Sequence, residues 1–319
     1  MQPTAPLFPR VDSHESFLAA PRDTETYRPG AEAICRRHGL DGGALARYPG
    51  GSTIVFAVGT GHVIKLFEPI FSDDARTEQT VLEHVRGRLS IPTPAVRFAG
   101  EREGWRYVVM EQLRGMSLVE AWQEIDAGAR VELCRRIGRA VAELHALELP
   151  PALPGPDWPA FVESQAAGCV EQHVGKGLEE RWARQIPGFL ARHDLAALAR
   201  ERPVLLHTEV MREHVLVERR GGGWEPSGLF DFEPARVGAA EYDFASVGVF
   251  LAAGEPGLAR AFLLGYGLAE DRLTAGLQER MLLHALLHRY GNLRWYLERL
   301  PPRRAATLPE LAAEWFSFN

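Results

Sequence analysis

Three polar segments in the second half of the chain carry residue types suited to phosphoryl transfer. His207-Thr208-Glu209 follows an apolar run, and four residues separate Glu209 from His214. Asp231 lies seventeen positions after His214, directly behind the apolar Gly228-Leu229-Phe230. Phosphoryl transfer needs a carboxylate beside the attacking hydroxyl and ligands for the metal ions that neutralise the phosphates. The spacing therefore predicts a catalytic loop followed by a metal-binding aspartate.

Lysine is the rare basic residue of this chain. Of the 36 lysines and arginines, only Lys65 and Lys176 are lysine. Lysine is a compact point charge, whereas arginine is a planar fork that takes more room. Lys176 lies in a glycine-flanked polar stretch that is typical of a solvated charge, but Lys65 ends a strand pattern. Lys65 is therefore a candidate for a site that an arginine would not fit.

The elements that would position these residues change character near residue 115. Residues 53–58 and 62–67 predict a β-hairpin around Gly59-Thr60-Gly61. The pattern indicates a small β-rich lobe, a connector at 111–115 and a larger helical lobe, preceded by a loosely packed arm at 1–21. The other predicted elements are helices at 23–38, 73–86 and 129–147 and strands at 96–100, 105–110, 204–206, 215–217 and 228–230.

Composition limits the class of protein. With 319 residues, 46% of them hydrophobic, the chain is long enough for two domains or lobes. The net charge of −6 argues against nucleic acid or an anionic membrane as a partner. Residues 244–254 form the longest apolar run, which is too short to span a bilayer. Three cysteines without CxxC spacing (Cys35, Cys134 and Cys169) and no visible secretion signal lead us to expect a cytoplasmic protein.

Taken in order, these motifs resemble the aminoglycoside phosphotransferase family, small-molecule kinases with a protein-kinase-like fold. The resemblance runs from the Gly-Ser-Thr turn at 51–53 through Ile91-Pro92-Thr93-Pro94 to Glu241–Ala245. The opening Asp12-Ser13 and the Ile-Lys-Leu-Phe run at 64–67 look most like hygromycin B phosphotransferases of the 7″ type. The resemblance implies a two-lobed α+β fold, with an arm and nucleotide-binding lobe at 1–111 and a helical lobe with the acceptor site at 112–319.

The resemblance also implies a role for each site residue. Glu209 would be the catalytic carboxylate that orients the acceptor hydroxyl, and His214 and Asp231 would hold Mg²⁺ or Mn²⁺. His207 and Asp243 would support the loop. ATP or GTP would bind to a set of residues in the first lobe and the connector: Ser52 and Thr53 in the turn, Lys65 paired with Glu78 for the phosphates, and Glu111 and Leu113 for adenine.

The sequence departs from the family's His-Gly-Asp-x-x-x-x-Asn loop at the two positions that matter most. Glu209 replaces the aspartate, and its extra methylene moves the carboxylate by about 1 Å, a shift that can cost on the order of a hundredfold in rate. His214 replaces the asparagine; we expect a neutral imidazole there, which suits softer metals than Mg²⁺. Macrolide phosphotransferases are similar in carrying histidine there. The alternative is a decayed loop in a non-catalytic relative, but a buried aspartate at Asp231 would be costly without a partner.

The acceptor is less well defined. The resemblance implies a small cationic antibiotic, a hygromycin-type aminoglycoside first; a macrolide, a nucleoside antibiotic or a metabolite is the alternative. We expect a monomer or a dimer. His284 and His288 have the spacing of a metal pair, but their apolar surroundings favour histidines of the core. The simplest interpretation of Trp295, Tyr296, Trp315 and Phe316 is C-terminal packing; the alternative is that a C-terminal helix forms a wall of the acceptor site. Acidic contacts for ammonium groups are expected from Glu171, Glu179, Glu180 and Glu213.

Overall fold

The structure is a computed structural model that describes residues 6–151, 153–155 and 157–318. It has a β-sheet part followed by a mainly helical part, as the two-lobed α+β prediction required. The strands are β1 (Leu45–Arg47), β2 (Ile54–Val58), β3 (His62–Phe67), β4 (Val96–Arg102), β5 (Trp105–Glu111), β6 (Met116–Ser117), β7 (Val204–Leu206), β8 (Val215–Arg220), β9 (Gly223–Leu229) and β10 (Arg236–Gly238).

Helices supply most of the second part. Two of them lie on the sheet: α2 begins behind its Asp23 cap and ends at Gly39, and α3 starts four residues after β3. The helices are α1 (His14–Ala19), α2 (Thr24–His38), α3 (Ser72–Val85), α4 (Leu118–Ala121), α5 (Ala127–Ala146), α6 (Trp158–Gly175), α7 (Glu180–Ala183), α8 (Ile186–Leu190), α9 (Leu195–Ala199), α10 (Phe244–Ser246), α11 (Leu258–Tyr266), α12 (Ala275–Leu286), α13 (Leu293–Arg299) and α14 (Leu308–Trp315).

The five-stranded antiparallel sheet has the order β1-β2-β3-β5-β4, which places Lys65 on its central strand, opposite Val55 and Val108. Successive side chains of a strand point to opposite faces. Ile64 and Leu66 therefore pack with α2, whereas Lys65 points to the face that α3 covers. The sheet ends at Glu111, and the division of the chain into domains at 111/112 stays a prediction.

The arm before α2 is anchored to the sheet by Phe8 and Val11, so the prediction of a loose arm is wrong there. Residues 12–21, which include α1, have no buried residue, and residues 1–5 lie outside the described residues. Phe8 stacks on Trp105 with ring centroids 5.1 Å apart, and the Trp105 indole N–H donates to the Pro9 carbonyl at 3.0 Å. A Cβ on Gly30 would lie 2.1 Å from the Phe8 ring, so glycine there lets the arm approach α2. Two apolar residues, Phe8 and Val11, are sufficient to anchor a polar segment.

The β8–β9 hairpin joins the two ends of the predicted loop. Phe230 N–H donates to the His214 carbonyl at 3.2 Å, which places Asp231 beside His214. Leu229 N–H donates to Pro92 O at 2.9 Å, so the hairpin also contacts the segment that follows α3. The two strands are longer than the predicted 215–217 and 228–230 because residues 218–220 and 223–227 continue the ladder on either side of the turn; Phe230 lies just outside β9.

Two of the sequence predictions concern the cysteines and the possibility of a membrane span. Cys35, Cys134 and Cys169 are buried free thiols. In the described part of the chain, no helix combines the length and the apolar character needed to cross a membrane.

Candidate active site

Lys65 lies at the centre of a buried cluster of charges. Lys65 is 6% exposed. Its Nζ lies 2.8 Å from Glu78 Oε2 and 2.8 Å from Glu233 Oε2, and it also pairs with Asp231. Burial disfavours its charge, but the carboxylates of Asp231, Glu233 and Glu78 outweigh burial and hold the pKa of Lys65 well above its usual value. Burial also disfavours the charged form of Glu78 and raises the pKa of this carboxyl to about 7. The pairing of Lys65 with Glu78 is thus present before any ligand binds.

Asp243 anchors the predicted catalytic loop through backbone hydrogen bonds. Its two carboxylate oxygens accept the N–H groups of His207 at 2.9 Å and Thr208 at 2.5 Å, and His145 Nε2 lies 2.9 Å away. Thr208 has a φ of 73°, in the left-handed region that non-glycine residues rarely occupy. A fully buried carboxylate therefore holds a strained turn directly before Glu209.

His207 acts as a second brace for this loop. Burial lowers its pKa to about 4, so the ring is neutral and has one donor and one acceptor nitrogen. Nε2 donates to the Phe230 carbonyl at 3.0 Å, and Nδ1 accepts the Glu209 N–H at 3.3 Å. Both nitrogens are occupied, so the structure places His207 in the scaffold of the loop and not at a reacting centre.

His214 and Asp231 form an ion pair next to Glu209. Nε2 of His214 lies 3.0 Å from Asp231 Oδ2, and Nδ1 donates to the Glu209 carbonyl at 3.0 Å. Burial alone would lower the pKa of His214, but the Asp231 carboxylate raises it to about 9. The expectation of a neutral His214 is therefore wrong for the site without metal. Asp231 is half-buried, and Lys65 and His214 hold its pKa well below the usual value.

The side chains around Asp231 fit a divalent cation. One ligand atom each from Glu209, His214 and Asp231 lie within 4.8 Å of one another, and the same is true of Glu78, Asp231 and Glu233. Carboxylate oxygens suit Mg²⁺, and the imidazole of His214 suits Mn²⁺ as well. To offer Nε2 to a metal, His214 must first lose the proton it shares with Asp231, so metal binding here releases a proton.

Glu209 has the properties of a group that accepts a proton near neutral pH. Burial raises the pKa of its carboxyl to about 7. Its side chain is half-buried and lines a cavity of about 230 Å³. A carboxylate with this pKa can take a proton from a bound hydroxyl and give it up again at physiological pH.

The residues predicted for the nucleotide occupy the cleft side of the sheet and the connector. Thr53 Oγ1 donates to Glu233 Oε2 at 3.1 Å, and the Ser52 carbonyl accepts from Arg22 at 3.0 Å. Glu111 pairs through its side chain with Arg97, and its N–H donates to Ala95. Gln112 N–H donates to Gly61. The backbone N–H groups of Glu111 and Gln112 thus already donate to carbonyls of the first part of the chain. The next connector residue is Leu113, which is half-buried.

Sequence reasoning missed Glu233. It follows Asp231 by two residues, and it reaches both Lys65 and Thr53 because Asp231 has a left-handed φ of 72°, which turns the chain sharply. The only signal was a second acid in Asp231-Phe232-Glu233, and this signal is weak since most exposed acids are solvated. Glu233 links the turn that contains Thr53 to Lys65.

The four glutamates expected to contact ammonium groups do not line the cavity beside Glu209. Three of them (Glu171, Glu179 and Glu180) are exposed on α6 and around α7, and Glu213 pairs with Arg299 at 2.5 Å. The pattern of acids along the chain does not show which way each helix faces, and their contact with an acceptor stays a prediction.

His284 and His288 are buried, as the core interpretation requires. Burial lowers the pKa of each to about 4. His288 Nε2 donates to the Thr208 carbonyl at 3.2 Å, and its Nδ1 accepts the Tyr290 N–H at 3.2 Å. His284 has no hydrogen-bond partner among the described residues. His288 therefore supports the predicted catalytic loop and is not half of a metal pair.

Comparison with known proteins identifies the same architecture. The family described as Phosphotransferase enzyme family matches residues 45–283. The chain is similar to the GDP complex of wild-type aminoglycoside 2′-phosphotransferase-IIIa, at 16% identity over 85% of this chain and 90% of that chain, with a TM-score of 0.61. It is also similar to the streptomycin–ATP–APH(2″)-IIa ternary complex, at 15% identity over 91% and 99%, TM-score 0.58.

A third similar structure is the apoenzyme of macrolide 2′-phosphotransferase MphH from Brachybacterium faecium, at 20% identity over 90% of this chain and 98% of that chain, TM-score 0.57. At these identities the likeness establishes the fold and not the acceptor. The aminoglycoside and macrolide enzymes both share that fold, so the site itself must decide between acceptors.

Proposed function

The chain belongs to the phosphotransferase enzyme family, and we propose that it transfers the γ-phosphoryl group of ATP or GTP to a hydroxyl of a small-molecule antibiotic. The observation that carries the proposal is the convergence of Lys65, Glu209, His214 and Asp231 at one cleft. These groups supply a cation for the phosphates, a carboxylate for the hydroxyl and a donor set for a divalent ion. The similarity to aminoglycoside and macrolide phosphotransferases supports the same reaction class.

Lys65 binds the α- and β-phosphates in this proposal. Glu78 lies 2.8 Å from its Nζ and fixes the direction of the side chain, so little ordering remains to be done when the nucleotide binds. Thr53 and the turn that contains Ser52 close over the phosphates. Leu113 in the connector receives adenine through its main chain.

Glu209 orients the acceptor hydroxyl and accepts its proton. A bond forms between the acceptor oxygen and the γ-phosphorus as the bond from that phosphorus to the bridging oxygen breaks, and the nucleoside diphosphate leaves. The transition state is loose, so proton transfer to Glu209 is late and positioning matters more than basicity. A pKa of about 7 leaves a large fraction of Glu209 ionised at neutral pH.

Mg²⁺ or Mn²⁺ bound here would neutralise charge on the transferring phosphoryl group. His214 and Asp231 are the residues that we propose as ligands of this ion. Asp231 belongs to both groups of side chains whose ligand atoms lie within 4.8 Å of one another. In the metal-free state the imidazolium of His214 keeps the negative charge of Asp231 compensated. Asp243 and His207 act indirectly, since they hold the loop that carries Glu209.

Resemblance in sequence to the hygromycin B phosphotransferases makes a hygromycin-type aminoglycoside the first acceptor to test. Macrolides, nucleoside antibiotics and small metabolites follow, and a non-catalytic binding protein is the outcome if none accepts a phosphoryl group. The net charge of −6 is compatible with a cationic acceptor.

Acceptor-dependent consumption of nucleotide tests the proposal. Wild-type protein should release ADP from ATP, or GDP from GTP, faster when an acceptor is present, whereas Asp231→Asn should show no acceptor-dependent release. Asp271→Asn, in an exposed turn outside the cleft, is the matched control and should behave as wild type. Unchanged turnover by Asp231→Asn would show that the site assignment is wrong.

A further inference from the structure

The cavity beside Glu209 is the place where an acceptor would meet the reacting groups. It has a volume of about 230 Å³ and is bounded by Thr208 and Glu209 at one end. Among the described residues that line it, Glu209 is the only acid, and none is lysine or arginine. Most of the remaining lining is aromatic or aliphatic. An acceptor that relied on several ammonium groups would find only one carboxylate here.

Three aromatic rings form one side of this cavity, which we call the aromatic wall: Phe250, Trp295 and Tyr296. The centroid of Phe250 lies 5.2 Å from that of Trp295 and 5.4 Å from that of Tyr296. Phe250 and Tyr296 are each 6% exposed, whereas Trp295 is 44% exposed. Two rings therefore form a packed base, and Trp295 presents a free aromatic surface.

The exposed ring of Trp295 is held in place by its neighbours. The Arg299 guanidinium lies 5.2 Å from the Phe250 centroid and 5.8 Å from the Trp295 centroid. Glu213 fixes that arginine at 2.5 Å and neutralises it. A large apolar ring costs free energy when it faces water, and here it is oriented beside the catalytic loop instead of being folded into the core.

Two other lining residues, His288 and Tyr290, are tied to the loop that carries Glu209. The His288 ring donates a hydrogen bond to the Thr208 carbonyl and accepts one from the Tyr290 N–H, so the same side chain holds both backbone groups. The neutral imidazole adds no charge to the cavity. The Thr208 carbonyl, directly before Glu209, is thus held by a buried side chain that also lines the cavity.

We propose that Trp295 positions the acceptor: the acceptor ring that bears the reactive hydroxyl stacks its C–H face on the Trp295 indole, with that hydroxyl toward Glu209. The inference rests on the proposed function. A saccharide ring combines an apolar face, which suits an aromatic surface, with the hydroxyl that the reaction needs. The cavity is smaller than the roughly 300 Å³ at which pockets for drug-sized ligands begin, so it takes one ring while the rest of the molecule lies outside.

Trp295 variants test the inference with hygromycin B, erythromycin and gentamicin as probes and ATP as the donor. Trp295→Ala should raise the KM of the accepted compound about tenfold or more and leave the KM of ATP unchanged, since stacking on one aromatic ring contributes enough binding for such a change. Trp295→Phe should recover most of the affinity because it keeps an aromatic face. Phe98→Ala, which removes an exposed aromatic ring on β4, is the matched control and should leave both KM values unchanged.

Calorimetric binding of the same probes separates this inference from the proposed function. If a compound is phosphorylated and its KM is the same for wild type and Trp295→Ala, the inference is overturned and the proposed function stands. If no probe is phosphorylated but one binds wild type and not Trp295→Ala, the proposed function fails and the stacking site is supported. If no probe binds in a Trp295-dependent manner, the stacking site is overturned.

Discussion

Replacement of Lys65 by methionine tests the charge cluster most severely. Methionine keeps an unbranched side chain of similar length and removes the ammonium group. The ligand oxygens of Glu78, Asp231 and Glu233, which lie within 4.8 Å of one another, then lose the cation that they share, while the His214 imidazolium still pairs with Asp231. At an effective dielectric constant of about 20, each pair of full charges at about that distance repels by about 3.5 kcal/mol.

Protonation relieves part of this repulsion, since Glu78 already has a pKa raised to about 7. Removal of one partner from a buried ion pair typically costs about 3–5 kcal/mol. We therefore expect Lys65→Met to lower the free energy of unfolding by about 3–5 kcal/mol at pH 8, and by less at pH 6, where a carboxyl of the cluster takes up a proton. Urea denaturation at the two pH values measures both quantities.

A second substitution distinguishes charge from packing. Lys65→Met combined with Glu78→Gln removes a negative charge as well, so we expect most of the lost stability to return while phosphoryl transfer stays absent. Lys176→Met is the matched control because Lys176 is the chain's only other lysine and hydrogen-bonds to the Gly291 carbonyl at the surface. Stability of Lys65→Met within about 1 kcal/mol of wild type, at both pH values, would refute the reasoning.

Three further predictions follow from other parts of the site. Glu209→Gln should lower kcat by about 10²–10⁴ with the KM of ATP unchanged, and a normal kcat would mean that Glu209 is not the base. Asp243→Asn replaces an acceptor of the His207 and Thr208 N–H groups by an amide that offers one oxygen, so denaturation should show a loss of about 3 kcal/mol; a loss below about 1 kcal/mol contradicts the anchoring role. Burial raises the pKa of Glu68 from 4.5 to about 7. As the pH rises from about 4.5 to 7, the unfolded wild-type chain loses the Glu68 proton while the folded protein keeps it, so the free energy of unfolding falls. Glu68→Gln should therefore be neutral below pH 4.5 and stabilising by about 3 kcal/mol above pH 7, and a pH-independent difference between the two proteins argues against it.

Much of the fold was predictable from local patterns. The Asp23 cap and Gly39 delimit α2 as predicted, and the alternating runs on either side of Gly59-Thr60-Gly61 form β2 and β3. These elements follow from capping chemistry and from side-chain periodicity, both of which act over a few residues. The spacing of Glu209, His214 and Asp231 also predicted a single site, because a hairpin that returns the chain brings its two ends together.

The remaining features depend on contacts between distant segments. The role of Glu233 depends on the left-handed backbone at Asp231, and a non-glycine residue gives no sequence signal for that conformation. The charge of His214 depends on its 3.0 Å contact with Asp231. Trp295 belongs to an aromatic cluster in the sequence, but only the packing of α13 on residues 247–252 shows that its ring is exposed beside Glu209.

Mass spectrometry of an antibiotic panel after incubation with the protein tests the central claim most directly. Hygromycin B, erythromycin and gentamicin are each incubated with ATP or GTP and with Mg²⁺ or Mn²⁺, using wild type and Asp231→Asn in parallel. We predict a gain of one phosphoryl group on at least one compound with wild type and no gain with Asp231→Asn. A product formed equally by both proteins, or no product from folded wild type that binds nucleotide and acceptor, would contradict the assignment of this site as a phosphotransferase centre.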